Sequence, residues 1–285
     1  MHREPAVMGP MGATTETGFG WATPVLSYAM ACVGSALGLR CTVRALDASG
    51  RSKRNWLLTA AVSIGAGIWT MHFIAMLGFA VTGTEIRYAV SLTLLSLLIP
   101  ILLTWVGMLI VGYGRSRALS LGLGGAVTGF GVVAMHYTGM AAMRLNASLD
   151  YNIGTVALSV LIAVAAATAA LWAGLTIRGP VAAIGASMIM GVAVTAMHYT
   201  GMRAAEVSVA TQTVASGNVP SGGATAMAFI LPMIVCLGST LFLTSAFVAL
   251  SPTGRQPRDA DESDDDDAPT PHGARPVAER QGSHA

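Results

Sequence analysis

The hexapeptide MHYTGM occupies residues 135–140, returns unchanged at 197–202, and has a looser copy, MHFIAM, at 71–76. Each copy places one histidine beside a methionine and four residues before a second methionine. The three histidines, His72, His136 and His198, are separated by 64 and 62 residues. This separation is close to the length of one helical hairpin with its loops, so the sequence predicts three repeated hairpins.

The sequence around these motifs is strongly apolar, with 53% hydrophobic and 11% charged residues. This composition excludes an ordinary water-soluble domain and points to a lipid bilayer. Crossing about 30 Å of hydrocarbon takes roughly 20 helical residues, and backbone polar groups in lipid must be satisfied within each span. Seven apolar runs meet that length, approximately at 21–39, 57–79, 89–112, 118–141, 153–175, 181–202 and 225–250.

The predicted fold class is therefore all-α, a polytopic membrane protein with seven transmembrane helices, built from three hairpins and one terminal helix. Of the 16 Lys and Arg residues, 12 lie on one side of the predicted spans and four on the other. The positive-inside rule then places the N-terminus outside and the C-terminus in the cytoplasm. The 12 residues on the cytoplasmic side are Arg40, Arg44, Arg51, Lys53, Arg54, Arg115, Arg117, Arg178, Arg255, Arg258, Arg275 and Arg280. The four outside are Arg3, Arg87, Arg144 and Arg203.

Three regions follow from this pattern. Residues 1–20 are predicted to be an extracytoplasmic segment without a cleavable signal peptide, because no basic start precedes an apolar stretch. Residues 21–250 form the membrane domain. Residues 251–285 contain the acidic run Asp264 to Asp267 and are predicted to be a disordered acidic cytoplasmic tail.

The repeat extends beyond the hexapeptide. Gly65, Gly129 and Gly191 each lie seven residues before the corresponding histidine, nearly two helical turns away and hence on the same helix face. Small residues let helices approach closely in a membrane. We therefore expect the motif helices to pack closely against their neighbours along this face.

The histidine and the second methionine of each motif share a helix face, because residues four apart lie about 40° from each other around a helix. A histidine within a membrane is costly unless it is paired, coordinated or hydrated. Imidazole nitrogen with thioether sulfur is a ligand set that suits copper, above all Cu(I), and suits Ca²⁺ or Mg²⁺ badly. The sequence thus predicts a copper site, with one ion or two neighbouring ions. Its candidate ligands are His72, Met76, His136, Met140, His198 and Met202.

Other interpretations of the same residues stay open. Haem iron also takes His and Met as axial ligands and is the nearest competing cofactor. Neutral histidines could instead hydrogen-bond within a purely structural bundle. A layer of His and Met could also be the entry of a copper transporter or channel, although no carboxylate lies in a predicted span to couple protons.

At these motifs the sequence resembles the MHYT-domain family of bacterial integral membrane proteins, and the resemblance covers about residues 20–250. It is carried by Met135–Thr138 and Met197–Thr200, whereas the copy at 71–76 keeps Met71, His72 and Met76 but lacks the Tyr, Thr and Gly. The resemblance implies a multi-pass protein of a bacterial cell membrane, with a copper site near the outer face that senses oxygen, carbon monoxide or nitric oxide.

Many members of that family carry cytoplasmic domains that make or degrade cyclic di-GMP, and no such domain is evident in this sequence. We find no paired nucleophile and base, paired carboxylates or cofactor loop, so we expect no enzymatic activity. The expected partners are the lipid bilayer, a diatomic gas and an unidentified cytoplasmic signalling protein, with no nucleic acid.

Overall fold

The computed structural model describes residues 20–80, 85–145, 147–209 and 222–250. Seven helices within these ranges are long and apolar enough to cross a membrane, which confirms the all-α prediction. The predicted segments 1–20, apart from residue 20, and 251–285 lie outside the described residues. The helices are α1 Ala22–Leu46, α2 Gly50–Leu77, α3 Val90–Tyr113, α4 Arg117–Ala141, α5 Ile153–Thr176, α6 Pro180–Ala204 and α7 Leu231–Leu250. A π-helical turn, Ala226–Ile230, leads directly into α7.

The first two helices extend beyond the apolar runs that predict them. Spans 21–39 and 57–79 become Ala22–Leu46 and Gly50–Leu77, because the basic residues between the runs continue the helices instead of breaking them. Lys53 Nζ donates to the carbonyl of Gly112 at 2.9 Å, and Arg44 lies over the ring of Trp56 at 5.1 Å. Long basic side chains can reach polar surroundings while their stems cover apolar surface.

Helices α1 to α6 form a closed ring. Each helix packs against the next one along the chain, and α6 returns to pack against α1. Helix α7 lies outside this ring against α1 and α2. The apolar window of α2 is 89% buried, whereas that of α6 is 28% buried. The three hairpins, α1–α2, α3–α4 and α5–α6, therefore repeat in the chain but differ in their surroundings.

The three matched glycines make the contacts between consecutive hairpins. An added Cβ on Gly65 would lie 2.8 Å from the backbone nitrogen of Ile101 in α3. One on Gly129 would lie 2.6 Å from Cα of Val164 in α5, and one on Gly191 would lie 2.6 Å from a side chain of α1. Each motif helix thus approaches the first helix of the following hairpin, with the last returning to the first. The expectation of close packing along this face is met.

Short strands follow or precede the helices at the end of the bundle where the motifs lie. They form a three-stranded antiparallel sheet in the order β2–β1–β5 and a two-stranded antiparallel sheet of β3 with β4. These strands were not predicted from the sequence, since segments this short carry little alternating pattern. Their bounds are β1 Arg87–Tyr88, β2 Met143–Arg144, β3 Ala147–Tyr151, β4 Ala205–Val209 and β5 Ala224–Thr225.

Candidate metal centre

The three motif histidines meet inside the ring. His72, His136 and His198 come from α2, α4 and α6, and each lies five or six residues before the end of its helix. Their exposed fractions are 0%, 0% and 2%. One ring nitrogen from each lies within 4.8 Å of those of the other two. The structure thus brings together residues that are up to 126 positions apart in the chain.

The Nδ1 atoms face one another. Nδ1 of His72 lies 3.0 Å from Nδ1 of His198 and 3.3 Å from Nδ1 of His136. The three rings are nearly perpendicular in every pairing, with centroids 4.9–5.2 Å apart and interplanar angles of 78–84°. This arrangement turns one nitrogen of each imidazole towards a shared point.

The opposite edges of two rings rest on glycine. An added Cβ on Gly139 would lie 2.6 Å from Nε2 of His72, and one on Gly201 would contact Nε2 of His136. The imidazoles of His72 and His136 therefore each end at the glycine of the next motif, three residues after that motif's own histidine. The copy in α2 has Ala75 at the corresponding position. Gly139 and Gly201 were not predicted as site residues, although both are the fifth residue of an MHYTGM motif.

The methionines lie one turn beyond their histidines on the same helices. Met76 and Met140 are 2% and 0% exposed and belong to the main apolar core. Met202 is half-buried and packs against that core. The compact part of the site is the histidine cluster, and the methionines surround its helices as soft, polarizable side chains.

Aromatic rings enclose the cluster on the side of the strands. Phe73, Tyr137 and Tyr199 each lie edge-on to the histidine that precedes them, with centroids 4.8–5.1 Å apart. Phe73 also packs edge-on against Tyr88 of β1, whose burial raises the pKa of its phenol. The hydroxyls of Tyr137 and Ser159 are 3.0 Å apart and hydrogen-bond. These rings shield the imidazoles from water.

The nitrogen spacing fits a metal ion. Metal–imidazole bonds of about 2.0–2.1 Å in trigonal or tetrahedral geometry separate the nitrogens by about 3.3–3.6 Å. The observed separations of 3.0 and 3.3 Å need only a small expansion. Among the described residues the cluster contains no carboxylate or thiolate, so its donors are neutral. A monovalent ion therefore brings less uncompensated charge into the bundle than a divalent one.

Haem fits this arrangement less well than a metal ion does. Axial ligands lie on opposite faces of one iron, about 4 Å apart, with the porphyrin plane between them. Nδ1 of His72 instead lies 3.0 Å from that of His198 and 3.3 Å from that of His136, and all three imidazoles are almost completely buried by protein. A porphyrin would have to separate helices that contact one another through glycine and imidazole.

Comparison with known proteins agrees with the motifs. The MHYT family model, described as "Bacterial signalling protein N terminal repeat", matches residues 65–124 and 129–187. The family model matches this chain twice, which confirms the resemblance that the sequence motifs predict. The first match begins at Gly65 and the second at Gly129, two of the glycines that pack consecutive hairpins. The family and the signalling proteins similar to this chain support a membrane sensor or signalling role.

Two relatives come from Pseudomonas aeruginosa. The bifunctional diguanylate cyclase/cyclic di-GMP phosphodiesterase MucR is 34% identical over 223 residues, which cover 76% of this chain and 32% of MucR. The cyclic di-GMP phosphodiesterase NbdA is 38% identical over 190 residues, which cover 65% of this chain and 24% of NbdA. The signaling protein YkoW of Bacillus subtilis is 27% identical over 191 residues, covering 63% of this chain and 23% of YkoW. The chain thus spans about a third or less of these relatives, and no solved structure matches it.

Proposed function

We propose that this chain is a membrane sensor that binds copper at the cluster of His72, His136 and His198 and responds to a diatomic gas. The observation that carries the proposal is the convergence of three buried imidazoles, with Nδ1 of His72 3.0 Å from that of His198 and 3.3 Å from that of His136, and one ring nitrogen of each within 4.8 Å of the other two. Copper in its monovalent form supplies a soft ion of low charge that suits imidazole and thioether donors. Met76, Met140 and Met202 are the candidate thioether donors.

Three protein nitrogens around one ion leave room for a further ligand, as open metal sites do. Oxygen, carbon monoxide and nitric oxide are the gases that we propose for that position. Water exclusion by the surrounding aromatic rings favours a small, weakly polar ligand over a hydrated one.

The signal is proposed to pass to a separate effector, because we expect no catalysis by this chain itself. The names of MucR and NbdA assign cyclic di-GMP chemistry to those proteins, and their similarity to this chain supports an effector of that kind. A change in occupancy of the histidine cluster would move α2, α4 and α6 relative to one another and bias the bundle between two arrangements.

Copper analysis of the detergent-purified protein after Cu(I) loading tests the metal site, and infrared spectroscopy under carbon monoxide then tests the ligand position. Three proteins are compared: the wild type, a His72, His136 and His198 to Ala variant, and a control with His2, His272 and His284 changed to Ala. The control removes the other histidines in the chain and leaves the cluster intact.

We expect stoichiometric copper and a carbon monoxide band in the wild type and the control. Both are lost in the cluster variant, whose folding is checked by size-exclusion chromatography. Copper that remains in the cluster variant, or wild-type protein that takes up none, contradicts the metal site. Copper binding without a carbon monoxide band contradicts the ligand position alone.

A further inference from the structure

A cavity of about 40 Å³ lies within the helix ring. Six helices line it, α1 to α6, so it lies in the interior that the ring encloses. Its lining includes Ile68, Val132 and Val194, each four residues before one of the clustered histidines. Four residues are about one helical turn, or 6 Å. The cavity therefore lies one turn away from the histidine cluster.

The lining is almost entirely apolar, with alanine, leucine, isoleucine, valine and methionine side chains. Its exceptions include Thr104 of α3 and Thr128 of α4, which are 1% and 5% exposed. Neither hydroxyl has a hydrogen-bond partner among the described residues. The hydroxyl of Thr42, which also lines the cavity, donates to the carbonyl of Gly38 at 2.8 Å and is satisfied. Unpaired buried hydroxyls cost free energy, so a cavity that keeps two of them suggests an occupant.

The volume of the cavity and the apolar character of its lining limit which molecules can occupy it. About 10–15 Å³ suffices for one water molecule, so a water bound to the two hydroxyls would fill only about a third of this space. Apolar cavities otherwise stay empty of water and take up apolar molecules. A molecule of two or three atoms that is mainly apolar, with one end able to accept a weak hydrogen bond, matches both the walls and the hydroxyls.

We propose that this cavity is a binding site for a small, weakly polar molecule such as a diatomic gas, held one helical turn from the histidines. An occupant there lies against Met197, which is adjacent to His198, and against the three aliphatic residues that precede the histidines by one turn. What the occupant does rests on the proposed sensing function, whereas binding to the cavity does not.

Xenon is the probe, because it is apolar, of suitable size and needs no metal. Met108, Met190 and Met197 line the cavity, and their ¹³C-labelled methyl groups report its occupancy by NMR in the full chain in detergent. Met188, two residues from Met190 on α6, is 50% exposed and reports xenon dissolved in the detergent. We expect saturable shifts at the three lining methyls and only a linear drift at Met188.

Three variants sharpen the test. Ala167→Leu adds three carbons to a lining residue of α5 and is expected to abolish the saturable shifts, whereas Ala165→Leu on the exposed face of α5 leaves them unchanged. Thr128→Val keeps the side-chain shape without the hydroxyl and retains saturable binding. Any one of three results overturns the proposal. The wild type could show only linear drift at every methyl, the saturable shifts could persist in Ala167→Leu, or they could disappear in Thr128→Val.

Copper content of the same samples separates this inference from the proposed function. Ala167→Leu is expected to bind copper like the wild type, because Ala167 is not a ligand candidate. Saturable xenon binding in a protein that takes up no copper would support the cavity as a binding site and contradict the proposed copper-based sensing. Copper binding without saturable xenon shifts would contradict the cavity site and leave the proposed copper site unaffected.

Discussion

The glycine of each MHYTGM motif lies where an imidazole of the preceding motif ends. Gly139 receives His72 and Gly201 receives His136, and a methyl group at either position would overlap the ring edge. The imidazoles of His72 and His136 thus have a glycine on one side and the other imidazoles of the cluster on the other. Small changes at these glycines should therefore shift the candidate ligand histidines directly.

Gly139→Ala is expected to push Nε2 of His72 away from α4 and spoil the nitrogen spacing. Overpacking of this kind costs about 1–3 kcal/mol, and copper affinity should fall by at least tenfold, about 1.4 kcal/mol. Competition with a Cu(I) chelator measures the affinity. The matched control is Gly122→Ala on the same helix, where an added Cβ has no neighbour within 4 Å. Equal copper affinities in the two variants would contradict the inference that Gly139 leaves the space that the ring of His72 occupies.

The three histidines could be predicted from the sequence as candidate ligands, but the arrangement of their rings could not. Their separations of 64 and 62 residues predicted equivalent positions for His72, His136 and His198 in three repeated hairpins. The choice of the ring nitrogen that faces the other histidines depends on side-chain rotation and on the glycine of a different helix. Neither can be predicted from the sequence around each histidine. The role of the methionines as ligands stays a prediction, and their burial differs because α2 is more deeply covered than α6.

Helices were predictable because lipid leaves the backbone few alternatives. All seven spans were found, and the main errors are at ends where basic residues prolong a helix, as in α1 and α2. The order of helices around the ring was not predictable, since it depends on which small residues meet. Gly65 and Gly129 pointed to close packing without identifying the partner helices α3 and α5.

Gly129→Ala is expected to loosen the contact between α4 and α5. The new Cβ would lie 2.6 Å from a backbone atom, Cα of Val164, which no side-chain rotation can relieve. We expect the free energy of unfolding to fall by about 1–3 kcal/mol. Thermal or denaturant unfolding in detergent measures it, beside Gly185→Ala, a helix-interior glycine with no neighbour within 4 Å of an added Cβ. A loss of stability no larger than that of Gly185→Ala would argue against a tight contact between these helices.

At the scale of the whole molecule, charge still predicts the orientation. The N-terminus is expected outside and the C-terminus in the cytoplasm, which places the histidine cluster towards the outer face. A C-terminal green fluorescent protein fusion should fluoresce, and a C-terminal alkaline phosphatase fusion should be inactive. The same two reporters inserted after residue 46, on the same side as the C-terminus, provide the internal control. Active phosphatase at the C-terminus would contradict this predicted orientation.

Ring closure has a consequence for biosynthesis. His72 and His198 contact each other across 126 residues, so at about 5–20 residues per second roughly 6–25 s separate their synthesis. During that interval the first imidazole lies in the membrane without its final neighbour, which is a costly state for a polar group in lipid. The nascent chain therefore passes through an incomplete ring that membrane chaperones and proteases can recognise, and arrival of α6 is the step that ends this vulnerability.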